Sequence, residues 1–338
     1  MTLDRRQRVL VTGANGFVGS HLTEALLEAG YRVRCMVRRS SDLRFVAHLP
    51  VEWAYADLGQ ADGEALRQAC QGVDLVCHCA ALTRALDKET FYRVNAGGAE
   101  ALARAALEAN PALERFLFVS SQAAAGPAQH ADDFVDESDP PQPVDWYGQS
   151  KWAAEQALLA LTSENGGGLP LTIMRPSAVF GPRDRDFLTY FRLIKHGLHL
   201  EIGRGARWLS LIYVKDLVSL LVAALESECA LGQTYFARGT DHTQEEFSEA
   251  IARVLGKRPV EIRLPEVVMT PLSLWARVQG RLTGRPALLN EQRLANMRHR
   301  EWLCSGEKAR RELGFVAQYS LQTAVRETAN WYLENGWL

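Results

Sequence analysis

Near the start of the chain stands Val9-Leu10-Val11-Thr12-Gly13-Ala14-Asn15-Gly16-Phe17-Val18-Gly19-Ser20, an apolar strand pattern that runs through three glycines into a helical pattern. Gly13 permits a tight turn after the strand, Gly16 lets the backbone approach a pyrophosphate, and Gly19 lets helix and strand pack closely. A helix that starts near Gly16 would direct unpaired N–H groups at phosphates. The stretch therefore predicts a dinucleotide site formed by Gly13, Asn15, Gly16, Phe17, Val18 and Gly19.

Strand-like and helix-like segments alternate through the first half of the chain. The predicted strands are Arg8–Thr12, Tyr31–Val37, Val51–Ala56, Leu75–Cys79, Arg115–Ser120 and Leu171–Met174. The predicted helices between them are Gly16–Ala29, Gly63–Gln71, Glu89–Asn110 and Tyr147–Thr162. Short, continuous apolar strands that alternate with helices are typical of a parallel sheet covered on both faces. The predicted fold class is therefore α/β, a Rossmann-type doubly wound parallel sheet.

Beyond Arg175 the alternation loosens, and the pattern predicts a smaller, mainly helical C-terminal lobe. The predicted elements there are helices at Asp186–His196, Val214–Leu225, Thr243–Leu255, Pro265–Leu282 and Leu321–Asn335, with a strand at Gln233–Ala237. We expect residues 1–175 to form the dinucleotide-binding domain, with a return segment near 210–240, and residues 176–338 to form a substrate-binding lobe. The apolar stretch Leu264–Gly284 could touch a membrane surface, but a cap helix packed on its own protein is the favoured interpretation.

The composition is that of an ordinary globular protein, with 338 residues, 47% hydrophobic, 23% charged and a net charge of −2. This charge balance offers nothing special to nucleic acid or to an anionic membrane. No N-terminal stretch resembles a signal peptide, and no apolar run predicts a transmembrane span. The six cysteines lie mostly in apolar runs, so Cys77-His78-Cys79 is interpreted as a buried reduced strand and not as a metal site. We expect a cytoplasmic protein without a metal.

The end of the second predicted strand bears on the choice of cofactor. NAD-selective enzymes usually carry an acidic residue there, which accepts hydrogen bonds from the adenosine ribose. Here Arg38 and Arg39 are followed by two serines, which offer charge and donors to a 2′-phosphate. The residues favour NADP(H), and NAD(H) held by other contacts stays open as the alternative. Further predicted cofactor contacts are Asp57 and Leu58 at the adenine edge and Ala80 and Ala81 along the dinucleotide.

Proton chemistry is predicted at Tyr147-Gly148-Gln149-Ser150-Lys151, which places a phenol and an ammonium on one face of a helix. An ammonium about 4 Å away could stabilise the phenolate by roughly 4 kcal/mol at an effective dielectric of about 20, before desolvation. Lys151 would thus lower the pKa of Tyr147, and it could also hold the nicotinamide ribose. Ser121 closes the fifth strand's carboxyl end, where its hydroxyl could hydrogen-bond a substrate oxygen.

With these landmarks the chain resembles the extended branch of the short-chain dehydrogenase/reductase superfamily, the NAD-dependent epimerase/dehydratase family. The landmarks are Thr12–Gly19, Asp57-Leu58, His78–Ala81, Val119–Gly126, Tyr147–Lys151, Arg175–Pro182 and Ile212–Leu217. The resemblance implies that Ser121, Tyr147 and Lys151 are catalytic, and that Asn95 and Pro176 lie near the cofactor together with Tyr147 and Lys151. It also implies a homodimer built through a four-helix bundle of the helices that hold Asn95 and Tyr147.

Three positions distinguish this chain from members of that family that act on nucleotide sugars. Ala178 stands where those enzymes have a diphosphate-binding asparagine. Leu209 stands where they commonly have an arginine, although Arg204 and Arg207 are close in sequence. Gln122 stands where sugar dehydratases carry an acidic residue. The loss of two phosphate contacts of roughly 1.5–3 kcal/mol each indicates a more apolar substrate.

The resemblance is strongest to dihydroflavonol reductases and 3β-hydroxysteroid dehydrogenases. It implies an NAD(P)-dependent oxidoreductase that transfers hydride between nicotinamide and a carbonyl or secondary alcohol of a largely apolar small molecule. Two alternatives stay open: a nucleotide-sugar epimerase or dehydratase with an atypical phosphate pocket, and a non-catalytic dinucleotide sensor. The segments expected to select the substrate are Thr83–Asp87, Pro182–His199 and Leu264–Arg285.

Overall fold

The computed structural model describes residues 7–60, 63–130, 132–163, 168–203, 205–265, 295–296 and 298–338. The strands are β1 Arg8–Thr12, β2 Arg32–Val37, β3 Glu52–Tyr55, β4 Leu75–His78, β5 Arg115–Val119, β6 Leu171–Pro176, β7 Ala178–Phe180, β8 Leu198–Ile202, β9 Trp208–Tyr213, β10 Thr234–Ala237, β11 Thr240–Thr243, β12 Val260–Leu264 and β13 Glu301–Trp302. The α-helices are α1 Phe17–Glu28, α2 Gly63–Cys70, α3 Lys88–Phe91, α4 Gly98–Ala109, α5 Gln122–Ala125, α6 Trp146–Thr162, α7 Leu188–Lys195, α8 Val214–Glu226, α9 Gln244–Leu255, α10 Glu307–Leu313 and α11 Leu321–Glu334.

Seven strands form one parallel sheet in the spatial order β10-β6-β5-β4-β1-β2-β3. The chain winds outward in both directions from β1 and β4, so a crevice lies beyond the carboxyl ends of these two strands. Val9 and Val11 are buried in a core with residues of α1 and α8. Leu10, on the opposite face of β1, is buried with residues of α2, α4 and α6. The predicted doubly wound α/β class is confirmed, because helices cover both faces of the sheet.

One predicted helix of this half has an irregular start. The segment predicted as a single helix over Glu89–Asn110 consists of α3, a π-helical turn over Tyr92–Gly97, and α4. At the second joint a Cβ on Gly98 would lie 2.9 Å from the Leu58 Cβ, so the glycine allows a close approach. Such π-helical turns are frequent at functional sites, and this one contains Asn95.

The second half adds strands that the sequence did not predict. β9 is the centre of a four-stranded sheet, in which β11 pairs with it antiparallel and β7 and β13 pair with it in parallel. β8 and β12 form a separate two-stranded sheet. The predicted strand near Gln233–Ala237 is β10, which lies beside β6 in the main sheet. The predicted helices of this half correspond to α7, α8, α9 and α11, except for Pro265–Leu282, which lies almost entirely outside the described residues.

None of the helices in the described part of the chain has both the length and the apolar character needed to cross a membrane.

Candidate active site

The predicted site residues lie along one edge of the main sheet. β1, β4, β5 and β6 run parallel in neighbouring positions, so the residues that follow them are brought to the same edge. These are the glycine turn after β1, Ala80 after β4, Ser121 after β5 and Ser177 after β6. The sheet topology therefore brings together the predicted cofactor turn and the predicted catalytic serine, which are far apart in sequence.

The glycine turn has the shape that a dinucleotide requires. Gly13 adopts a φ of +65°, and the Gly16 N–H donates to the Gly13 carbonyl at 2.9 Å. A Cβ on Gly13 would lie 2.8 Å from the Ala80 Cα, and one on Gly19 would lie 2.2 Å from the Gly13 oxygen. Gly16 caps α1 without a side-chain hydrogen bond, so the first N–H groups of the helix remain available to an anion.

Polar atoms at the same edge also fit a ligand. Within the described part of the chain, three buried atoms at or just after the ends of β4, β5 and β6 have no hydrogen-bond partner: Nε2 of His78, Nε2 of Gln122 and Oγ of Ser177. Buried polar groups are costly unless a ligand or water satisfies them. The residues present therefore fit a polar ligand such as a dinucleotide at this edge.

Thr12 and His78 connect β1 to β4 beneath this edge, and sequence reasoning gave neither of them a role in the site. The Thr12 hydroxyl is 2.6 Å from the His78 Nδ1 and accepts from the Ala80 N–H at 3.1 Å. Burial and the nearby Lys151 lower the pKa of His78 to about 3, so the imidazole is neutral. The only sign of this role in the sequence was the position of His78, a polar residue within an apolar strand pattern.

The expected adenosine end lies beyond β2 and β3. Arg38 is exposed, and its N–H donates to the Ser41 hydroxyl at 3.1 Å in a tight turn. The Arg39 guanidinium lies 5.1 Å from the Tyr55 ring centroid. Asp57 is half-buried and accepts from the Gly59 N–H at 2.9 Å. The backbone at Arg38 is thus held in a turn, while the Arg39 side chain lies against an aromatic ring.

Two other predicted cofactor residues are buried among protein groups. The Asn95 amide accepts from the Leu82 N–H at 2.7 Å and donates to the Leu82 carbonyl and to the Ser150 hydroxyl. It therefore ties the chain just after Ala80 and Ala81 to α6. Leu58 is buried against α4, where Gly98 makes room for it.

Ser121 and Tyr147 form the predicted hydroxyl pair. Ser121 caps α5 and accepts from the Ala123 N–H at 3.1 Å. Burial raises the pKa of Tyr147 to about 12 and outweighs the opposite effect of the nearby Ser121 hydroxyl. The charges of Asp145 and Asp186 act in the same direction as burial. Tyr147 is accordingly a neutral phenol at physiological pH, able to donate a proton.

Lys151 lies on the same face of α6 as Tyr147, as the sequence predicted, and its amine is held at the end of β5. Its amine donates to the Val119 carbonyl at 2.8 Å and sits 4.1 Å from the Phe118 ring centroid. Burial raises the pKa of Tyr147 on balance, so an opposite effect of the Lys151 ammonium on that pKa stays a prediction. Burial lowers the pKa of Lys151 itself to about 7.

A buried ion pair lies behind these residues, and sequence reasoning missed it. Glu155, one turn beyond Lys151, binds Arg175 through two hydrogen bonds of 3.0 and 2.6 Å. The Ser120 hydroxyl donates to the same carboxylate at 2.5 Å. A glutamate spaced four residues from Lys151 was visible in the sequence, but its partner on β6 was not. Pro176, which ends β6, is buried beside this pair.

Two of the segments expected to select the substrate meet near Tyr147. Arg84, after β4, forms an ion pair with Asp186, before α7, and Asp186 is close enough to Tyr147 to raise its pKa. These loops therefore border the hydroxyl pair from two sides. The third segment, Leu264–Arg285, lies almost entirely outside the described residues.

Two of the positions at which this chain differs from nucleotide-sugar enzymes lie in the second half of the chain. Ala178 is the first residue of β7, and Leu209 lies in β9. A pocket of about 560 Å³, open to solvent, is lined by residues that include Glu201, Arg207 and Arg263. None of the predicted catalytic or cofactor residues lines this pocket. Arg204 lies outside the described residues.

Comparison with known proteins gives matches along the whole chain. A model of the NAD dependent epimerase/dehydratase family matches residues 9–235. Ceramide reductase of Caulobacter vibrioides is 31% identical over 339 residues, covering 100% of this chain and 98% of the relative. The 3 beta-hydroxysteroid dehydrogenase/Delta 5-->4-isomerase of Mycobacterium tuberculosis is 30% identical over 349 residues, covering 96% of this chain and 90% of the relative.

Solved structures agree with these matches. The crystal structure of gox2253 superposes with a TM-score of 0.80 at 29% identity and covers 98% of both chains. DesIV, the dTDP-glucose 4,6-dehydratase of Streptomyces venezuelae with NAD and TYD bound, superposes with a TM-score of 0.79 at 22% identity, again over 98% of both chains. The second likeness shows the shared fold alone.

Proposed function

The chain belongs to the NAD-dependent epimerase/dehydratase family, and we propose that it is an NADP(H)-dependent reductase or dehydrogenase of a largely apolar carbonyl compound or secondary alcohol. The observation that carries the proposal is the placement of the Ser121 and Tyr147 hydroxyls at the carboxyl edge of the sheet, close enough for Ser121 to lower the pKa of Tyr147. An enzyme that reduces a carbonyl needs a proton donor beside the cofactor, and the high pKa of Tyr147 keeps its proton in place. A non-catalytic dinucleotide sensor would need no such pair.

The proposed roles follow from the positions of the side chains. The glycine turn Gly13–Gly19 and the start of α1 would hold the pyrophosphate, with Arg38 beside the 2′-phosphate. A bound nicotinamide supplies the hydride that reduces the carbonyl carbon. Tyr147 donates its proton to the carbonyl oxygen, and Ser121 donates a hydrogen bond to the same oxygen as negative charge develops there. The product is the alcohol, and solvent restores the tyrosine proton.

Lys151 has two proposed roles. Its amine lies at the end of β5, one helical turn from Tyr147, where its donors could reach the nicotinamide ribose. A cation held there would also stabilise the negative charge that develops on the Tyr147 oxygen when the phenol gives up its proton. Both roles require the charged form of Lys151.

An apolar substrate is supported by residues and relatives together. Ala178 and Leu209 provide no hydrogen-bonding side chain where nucleotide-sugar enzymes hold phosphates. The two relatives at 31% and 30% identity are named for a ceramide and a hydroxysteroid, both largely apolar. Residues 176–338 would supply most of the substrate-binding surface, with the loops at Arg84 and Asp186 at its mouth.

The proposal is tested by mixing the purified protein with NADPH or NADH and a panel of apolar ketones, including steroid and long-chain ketones. We expect consumption of the reduced cofactor with at least one of these ketones, and faster with NADPH. Interconversion of a UDP-hexose, with every ketone left unreduced, would contradict the proposal.

One observation favours a second candidate, a nucleotide-sugar epimerase. Arg207 lines the open pocket together with Arg263, and two guanidinium groups could bind a diphosphate. Arg263 is already paired with Glu201 and Glu261, however, which reduces the charge available to a ligand.

A further inference from the structure

Helix α6 presents three functional groups at successive intervals of four residues. Tyr147, Lys151 and Glu155 therefore lie on one face, which is turned toward the end of β5. Lys151 is 1% exposed and Glu155 is 0% exposed. Charged side chains are almost never buried to this extent unless they are paired, so their partners define their role.

The partners of Glu155 come from two strands. One carboxylate oxygen accepts from the Ser120 hydroxyl at 2.5 Å and from the Arg175 Nε at 3.0 Å, and the other accepts from an Arg175 terminal nitrogen at 2.6 Å. The Arg175 guanidinium lies 5.8 Å from the Trp152 ring centroid and 5.6 Å from that of Phe236. The two-bond pairing and the flanking rings hold the carboxylate in one orientation.

This arrangement attaches α6 to two successive residues of the chain that leads to Ser121. Lys151 binds the carbonyl of Val119, and Glu155 binds the hydroxyl of Ser120. Ser121 follows directly, and its hydroxyl is close enough to Tyr147, the first residue of the same helix face, to lower the pKa of that phenol. A displacement of Glu155 would therefore be transmitted to both members of the hydroxyl pair.

Glu155 also supplies the main negative charge near Lys151. Burial alone disfavours an ammonium, and the Glu155 carboxylate counteracts this by raising the pKa of Lys151, which still falls to about 7. The other titratable or charged groups that face Lys151 are the neutral His78 and the thiol of Cys79 at the end of β4, Tyr147 on its own helix, and Arg175 on β6 behind Glu155.

We propose that Glu155 is a positioning residue, whose carboxylate, clamped by Arg175, fixes the Val119–Ser121 strand end against α6 and keeps the buried Lys151 charged. The proposal rests on the proposed function, because it assigns Glu155 a purpose only where a charged Lys151 and a placed Ser121 are needed. A purely structural role of the Glu155–Arg175 pair would have no effect on the titration of Lys151, so this titration distinguishes the two roles.

The test is the pH titration of Lys151 in Glu155→Gln, monitored by NMR of protein with ¹³C-labelled lysine side chains. The Lys151 signal is identified as the one that is missing in Lys151→Arg. We expect the Lys151 midpoint to fall from about 7 in the unchanged protein by about one pH unit or more in Glu155→Gln. Glu108→Gln, which removes one carboxylate from an exposed position of α4, should leave the midpoint unchanged. Equal midpoints in Glu155→Gln and the unchanged protein would overturn the proposal.

Glu155→Gln leaves the buried Arg175 without its counter-charge and could prevent folding. The double variant Glu155→Met with Arg175→Met replaces the pair by apolar side chains of similar volume, an exchange that buried ion pairs often tolerate. It should fold and show a Lys151 midpoint that is lowered by less than in Glu155→Gln, because the more distant positive charge of Arg175 is removed as well. A midpoint that is not lowered would also overturn the proposal. Because the titration uses protein without substrate or cofactor, its outcome is independent of whether the proposed reaction is found.

A second test of the inference is the pH profile of turnover with NADPH and a ketone that the enzyme reduces. In Glu155→Gln the loss of activity should begin at a lower pH than in the unchanged protein, so the defect should be small in mild acid and large above neutrality. A defect of equal size at every pH would indicate a structural role only and would contradict the inference.

Discussion

The Lys151 amine donates a hydrogen bond of 2.8 Å to the carbonyl of Val119, so this buried cation is held by the end of β5. The Tyr147 hydroxyl, one helical turn away, lies instead near the Ser121 hydroxyl, which lowers the pKa of the phenol. The two groups therefore titrate under different influences. Burial lowers the pKa of Lys151 to about 7 and raises that of Tyr147 to about 12.

This separation predicts the pH dependence of reduction. Lys151 is charged below a pH of about 7 and loses its charge above it, whereas Tyr147 keeps its proton throughout the neutral range. The kcat/KM for NADPH, which reports the free enzyme, should accordingly be level in mild acid and fall as pH rises through about 7. In Lys151→Arg, whose guanidinium stays charged, this fall should disappear even if the overall rate is lower. A profile of the unchanged enzyme that stays level well into the alkaline range would contradict the assignment.

Arg38 is predicted to select the phosphorylated cofactor. Arg38→Ala should weaken NADPH binding by about 1.5–3 kcal/mol, the value of a hydrogen bond to a charged group. This corresponds to roughly a 10- to 100-fold rise in Kd, with a much smaller change for NADH. Fluorescence titration with both cofactors measures the effect. Arg326→Ala, which removes one guanidinium from an exposed position of α11, is the control. Equal losses for NADPH and NADH in Arg38→Ala would refute a 2′-phosphate contact.

The glycine turn is predicted to tolerate no side chain. In Gly13→Ala the new Cβ would lie 2.8 Å from the Ala80 Cα, at a φ of +65°. We expect a stability loss of about 1–3 kcal/mol, visible as a lower Tm, together with loss of NADPH binding. Gly63→Ala is the control, because a Cβ there meets nothing within 4 Å. If Gly13→Ala bound NADPH as tightly as the unchanged protein, the turn would not be the pyrophosphate site.

The nucleotide-sugar alternative makes its own prediction. If Arg207 and Arg263 bound a diphosphate, UDP and dTDP compounds would raise the Tm, and Arg207→Ala would abolish the rise. Our account expects no shift from these compounds and a clear shift from NADPH. A thermal-shift panel with both sets of compounds separates the two functions.

The parts of the fold that sequence predicted well are those set by local pattern. The glycine turn follows from the spacing of Gly13, Gly16 and Gly19, and the strands of the main sheet follow from continuous apolar runs. Family membership, predicted from these landmarks, is confirmed by the match over residues 9–235. By contrast β7 has only three residues and β11 is the polar stretch Thr240–Thr243, so no local signal identifies either of them.

The site residues likewise divide into those that a local sequence pattern reveals and those whose role depends on distant partners. Tyr147, Lys151 and Ser121 could be named from their spacing and neighbours, and the structure gathers them at one edge. The position of the Lys151 amine could not be predicted, because its acceptor is a backbone carbonyl on another element. Glu155 and Arg175 are ordinary charged residues in the sequence, and only the fold makes them a buried pair. The π-helical turn that carries Asn95 likewise has no recognised sequence pattern.

The central claim is that Tyr147 donates the proton in a reduction carried out beside a bound nicotinamide. Its most direct test is Tyr147→Phe, assayed for ketone reduction with NADPH and for NADPH affinity in the same preparation. Tyr319→Phe, which also removes one phenolic hydroxyl, serves as the control. We predict that turnover falls by at least about 100-fold in Tyr147→Phe, the contribution of a positioned acid, while NADPH affinity is nearly unchanged. Full turnover in Tyr147→Phe would show that the proton comes from another group and would contradict the account.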